Sequence, residues 1–154
     1  MSDNKGLGTL RVWRRSMHFV KRIHNEVLPL LPNEEKWAMT NQLRRAAQSI
    51  PANIAEGYGR FDYQEGIRFC YIARGSLEET FTFLTLAQEF EYIELTDYES
   101  LAAEMDELKR MLNGYIAFLK RTKRGETEPG AVYESTETYS TSPDLENLDS
   151  QLPE

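Results

Sequence analysis

The chain has 154 residues, with 40% hydrophobic and 28% charged side chains, which is the balance of a single soluble globular domain with a real core. Its formal net charge of −7 is local: residues 125–154 hold eight acids and no lysine or arginine, residues 1–124 hold 18 cations against 17 acids, and residues 1–75 lean basic at 12 against 7. No apolar run approaches the ~20 residues of a membrane span, the first residues lack the apolar core of a secretory signal, and a lone cysteine, Cys70, excludes an intrachain disulfide; the expectation is a cytoplasmic protein without membrane contact.

Four helices are legible in chain order. Residues 1–9 carry no periodicity and read as a flexible N-terminus. The first helix is predicted from Leu10 to between Leu28 and Leu31. Thr9 is its expected N-cap, and Leu10, Trp13, Met17, Val20, His24, Val27 and Leu31 form its apolar stripe. His24 lies on that stripe and reads as a core histidine. Pro32 can be accommodated only at or beyond the helix end. The second helix is predicted over Glu34–Glu56, with Met39, Leu43, Ala46, Ile50 and Ile54 on its stripe and small residues around them. Pro51 removes one backbone hydrogen bond and crowds the carbonyl of Ala47. The apolar spacing runs through it without a phase jump, which favours a kink over a break at Ser49. Gly57 and Gly59 then permit a helix end and tight turn.

Asp62 and Glu65 form a capping signal for the third helix, which is predicted to run to about Phe90. It carries two apolar rows: Ile67, Cys70, Leu77, Phe81 and Leu84, and beside them Phe69, Ala73, Ser76, Phe83, Ala87 and Phe90. An arc that wide implies more than one neighbour. Arg74 interrupts the first row, and Glu78 stands four residues on as a pairing partner. Thr96 and Glu99 give a second capping box for the fourth helix. Tyr98, Leu101, Met105, Leu108, Leu112, Tyr115 and Leu119 hold its heptad-like rhythm, and Lys120, Arg121, Lys123 and Arg124 close it with cations suited to a helix C-terminus. From Gly125 on the pattern vanishes. Val132, Leu145, Leu148 and Leu152 are too few to offset ordering entropy, which predicts a disordered acidic tail over 125–154. Short connections between four long helices predict an all-α, up-down antiparallel four-helix bundle over 10–124.

Gln42-Leu-Arg-Arg-Ala-Ala-x-Ser-Ile-Pro-x-Asn-Ile-Ala-Glu-Gly-x-Gly-Arg60, with Ala73-Arg-Gly-Ser-Leu-Glu-Glu79, Val12-Trp13 and Met111-Leu-x-Gly-Tyr-Ile116, resembles the four-helix bundle family named for the 23S ribosomal RNA intervening-sequence protein. The resemblance covers about residues 8–122. It implies a homopentameric ring of bundles around a central channel. It also implies association with ribosomal RNA, inferred from where the family's genes can lie. A related branch, the accessory variability proteins of diversity-generating retroelements, comprises basic pentamers that bind a reverse transcriptase and its RNA. This chain looks more like the intervening-sequence branch, its body being near neutral.

The strongest chemical constellation is a basic row on the first helix, Arg11, Arg14, Arg15, His18, Lys21 and Arg22, recurring at three- and four-residue steps opposite the predicted seam. Such a row can track phosphates, each neutralised phosphate releasing a counterion. The plainer alternative is a solvated face. Lys120, Arg121, Lys123 and Arg124 end an antiparallel helix beside the start of the first, so the two clusters are expected to merge. A second polar group, Arg44, Arg45, Ser49, Asn53, Glu56, Arg60, Arg74 and Glu78, reads as a buried hydrogen-bonded network between helices or subunits, since a buried arginine must be paired.

Other chemistry is not indicated. Neither His18 nor His24 follows a glutamate at three residues, as a di-iron bundle requires. Glu104 and Glu107 read as surface charges, and Gly57-x-Gly59 lacks the lysine and strand of a phosphate loop. The sequence thus leads to a non-enzymatic oligomeric scaffold without metal or cofactor, binding RNA or a ribonucleoprotein, ribosomal or reverse-transcriptase-bound. The alternative is a ring that recruits protein and touches no nucleic acid. The tail would either compete with RNA for the basic patch or solubilise the assembly.

Overall fold

The computed structural model describes residues 6–123, which form four α-helices: α1 Arg11–Arg22, α2 Met39–Tyr58, α3 Tyr63–Glu89 and α4 Leu95–Thr122. The predicted acidic tail and Arg124 lie outside the described residues. Each helix packs on its neighbours in sequence, and α1 closes on α4 to complete an antiparallel bundle. Phe19, Ile23, Leu43, Ile50, Ile54, Leu77, Leu84, Leu101, Leu108 and Leu112 fill its centre.

The predicted stripe of the first helix is displaced by about one residue. Val12, Ser16, Phe19, Ile23 and Val27 are buried, while Met17 and His24 are exposed and Leu10, Trp13, Val20 and Leu31 only flank the core. Two ladders with three- and four-residue steps overlap in this sequence, and the one containing a serine is the buried one. Ser16 is tolerated there because its hydroxyl donates to the Trp13 carbonyl at 2.6 Å. Beyond Arg22 the backbone widens into a π-turn over Ile23–Val27 and tightens into a 3-10 turn over Leu28–Leu30, where Pro29 sits. Thr9 does not cap α1. It belongs to a preceding 3-10 turn, Leu7–Thr9, and its hydroxyl donates to Gly6.

The second helix begins later than predicted, because Asn33–Glu35 forms a separate 3-10 turn. The Glu35 carboxylate instead accepts from the Met39 amide at 3.3 Å, near the start of α2. Pro51 is buried within α2, which continues through it unbroken. Asp62 caps α3 as expected, accepting from the Gln64 amide at 3.1 Å. Here α2 and α3 approach so closely that a Cβ on Gly57 would stand 2.9 Å from Cβ of Phe69 and 3.0 Å from the Gly66 carbonyl oxygen. That approach explains the small-residue character of α2.

Chain reversal between α3 and α4 uses a Schellman motif without glycine. The Tyr92 amide donates to Ala87 and the Glu91 amide to Gln88, with Glu91 left-handed at φ 61°. Helix α4 starts at Leu95 and draws no side-chain cap from Thr96. Its predicted stripe is buried at Leu101, Met105, Leu108, Leu112 and Leu119, joined by Ile116.

Candidate nucleic-acid interface

Part of the predicted basic row, Arg15, His18 and Arg22, flanks the seam between α1 and α4, where carboxylates meet it, while Arg11, Arg14 and Lys21 are exposed as expected. Arg15 pairs with Glu107 at 2.9 Å. His18 Nδ1 lies 2.8 Å from Glu104, and Arg22 reaches Glu104 at 2.6 Å and Glu26 at 2.8 Å. Arg22 also donates to the Ser100 hydroxyl. Burial of Glu104 opposes its ionisation, but hydrogen bonds from Arg22 and His18 outweigh this and hold its carboxyl below the usual range. Glu26 is likewise held low by Arg22, whose guanidinium is in turn stabilised in its charged form. Half of the row is therefore engaged in closing the bundle. Glu104 and Glu107, which sequence reasoning assigned to open surface, are its partners.

The seam changes character at Glu107. No acid occurs from Leu108 to Lys123. Opposite the start of α1, helix α4 instead presents Met111, Tyr115 and Phe118. They line an open groove of about 460 Å³ with Thr9, Leu10, Arg11, Val12 and Glu107. Arg11 and Arg14 are exposed at this end, and Arg121 and Lys123 are exposed on the last turn of α4, as the antiparallel register predicts. Among the described residues none of these four forms an ion pair, nor do Lys21 and Lys120.

The α2–α3 turn arrives at the same end. Tyr115 and Leu119 share a small crevice with Gly57, Tyr58, Phe61 and Tyr63. Phe61 is 70% exposed, and Phe118 is also exposed, stacked on Tyr115 at 6.3 Å with the Arg121 guanidinium 5.8 Å from its ring. Arg60 pairs with Glu56 at 2.7 Å and lies 5.3 Å from the Phe69 ring. Over residues 6–14, 56–69 and 114–123 this end carries seven lysines and arginines against three acids. Exposed aromatics set among unpaired cations can stack bases while holding phosphates. The sequence signal for this was available in the acid-free run after Glu107. The exposure of Phe61 and Phe118 was not, because both keep helical spacing or stand beside it.

The predicted polar network is only partly assembled. Ser49 and Ser76 share a hydrogen bond of 2.8 Å between α2 and α3, and the Asn53 amide donates to the Ser49 hydroxyl and carbonyl. Arg44 and Arg45 are exposed rather than buried, being on the outer side of α2. Arg74 does not pair with Glu78: it donates to Asn113 at 3.0 Å and lies over the Tyr71 ring, while Glu78 pairs with Lys109 at 2.7 Å. Antiparallel packing brings α4 alongside, so interhelical partners win over the local one. Burial pushes the Cys70 thiol up to about 12, which leaves it protonated at neutral pH. Among the described residues no group of three histidines, cysteines or carboxylates is placed to hold a metal, and no helix is long and apolar enough to cross a membrane.

Comparison with known proteins fits this architecture. The 23S rRNA-intervening sequence protein family matches residues 8–114. Among solved structures, a protein of unknown function from the S23 ribosomal protein family of Bacteroides thetaiotaomicron VPI-5482 is similar at 33% identity and a TM-score of 0.63, over 68% of this chain and 97% of that one. No curated protein matches.

Proposed function

The chain belongs to the 23S rRNA-intervening sequence protein family, and from that premise we propose a non-enzymatic cytoplasmic scaffold that binds RNA through the basic end of its bundle. The RNA is structured, either ribosomal or carried in a ribonucleoprotein such as a reverse transcriptase complex. The observation that carries this reading is the convergence of Arg11, Arg14, Lys120, Arg121 and Lys123 with Phe61 and Phe118 at one end. The full basic row along α1 does not carry it, because Arg15, His18 and Arg22 are engaged by acids of α4.

The scaffold assembles as a homopentameric ring. Gly75 and Gly114 support self-association: both are exposed in helix interiors, with open space where a side chain would go. Each costs its helix about 1 kcal/mol relative to alanine, and nothing in the monomer requires either. A closely approaching second copy would.

Two measurements test the proposal. Fluorescence anisotropy of a labelled RNA hairpin is expected to show binding at low salt that weakens steeply as salt is added, and Phe61→Ala is expected to weaken it by about 1–3 kcal/mol. Absence of binding at low salt overturns the RNA assignment. Native mass spectrometry is expected to give a pentamer that Gly114→Ala disrupts. A monomer stabilised by about 0.5–1 kcal/mol in Gly114→Ala overturns the ring.

A further inference from the structure

We propose that the opposite end of the bundle, formed by the α1–α2 connection and the α3–α4 turn, is a docking surface for a protein segment that presents lysines or arginines around a large apolar side chain. Four large apolar residues are exposed there: Trp37 at 83%, and Leu30, Phe90 and Leu95, each about half exposed. A soluble domain ordinarily shields side chains of this size, and their collection at one end marks an interaction surface. One contact links the two connections that carry them, and a second orders the α3–α4 turn. The Tyr92 hydroxyl donates to Glu35 at 3.2 Å, and the Phe90 ring packs edge-on against Tyr92 at 5.7 Å.

The chemistry of the partner follows from the charge around these residues. Over residues 24–38 and 86–100 there are eight carboxylates and one lysine. Such a surface repels phosphates and attracts a cationic segment. Its one lysine, Lys36, already lies 5.1 Å from the Trp37 ring centre, which shows how a partner's cation would be received on an indole face. A basic amphipathic helix satisfies both demands, its apolar stripe covering Trp37 and its neighbours while its cations meet the surrounding glutamates. This inference is independent of RNA binding at the other end.

The test uses the full chain and a labelled amphipathic peptide of leucines and lysines at helical spacing. Anisotropy is expected to show saturable binding, accompanied by a blue shift of tryptophan emission that persists in Trp13→Phe. Trp37→Ser and the double variant Glu34→Lys with Glu94→Lys are each expected to weaken binding at least about tenfold, with circular dichroism unchanged. Arg121→Glu, at the far end, is expected to leave it intact. The inference is overturned by absence of binding, by equal affinity in wild type and variants, or by the same blue shift on adding an RNA hairpin. A blue shift that grows with protein concentration alone would make a second copy the occupant and overturn the assignment of a foreign partner.

Discussion

Glu104 holds two of the ion pairs that join α1 to α4. It stands between His18 and Arg22 with its side chain largely shielded from water, and removing its charge would leave Arg22 with Glu26 alone. Glu104→Gln is expected to cost about 1–3 kcal/mol at neutral pH. A carboxyl held below its ordinary range contributes stability above that range and loses it as pH falls through it. The gap between wild type and Glu104→Gln, measured by denaturant unfolding, should therefore shrink on acidification from neutrality to below about pH 4. A gap that stays constant would show that Glu104 acts through packing instead of charge. None of this was legible from the local sequence, where Glu104 and Glu107 look like any exposed i,i+3 pair. Their role appears only when an antiparallel neighbour supplies Arg15 and Arg22.

At the scale of elements, the helices were readable because each carries a long apolar period, and Asp62 marked the start of α3 correctly. The face of α1 was misread because Leu10, Trp13, Met17 and Val20 outscore Val12, Ser16 and Phe19 in bulk apolar character. What decided the matter was packing against α2 and α4, which periodicity does not encode. The exposed placement of Arg44 and Arg45 has a similar origin: their spacing left two faces open, and only packing against α3 chose Ser49 and Asn53 for the inner edge. The α2–α3 contact gives a sharp prediction. Gly57→Ala would drive a methyl against Phe69 and the Gly66 backbone, and is expected to lose about 1–3 kcal/mol of unfolding free energy. Gly75→Ala, with open space around it, should not reproduce that loss in the monomer. Helix propensity alone favours alanine at both positions, so equal losses would mean that the close approach at Gly57 does not set the cost.

Taken whole, the bundle is polarised along its axis: cations and exposed aromatics collect at the α2–α3 turn end, carboxylates and Trp37 at the α3–α4 turn end. The near-neutral total of the body conceals this separation, which emerges only when alternate helices run in opposite directions. An RNA at one end and a basic protein segment at the other would make the molecule an adaptor. The most direct test of the RNA claim compares two double variants against a labelled RNA hairpin across a salt series: Arg11→Gln with Arg121→Gln at the basic end, and Arg15→Gln with Arg22→Gln in the seam. The first pair is expected to lower affinity and to flatten the slope of log K against log salt by about 1–2, while the second leaves the slope unchanged. A slope reduced by the seam pair and untouched by the basic-end pair would contradict the account.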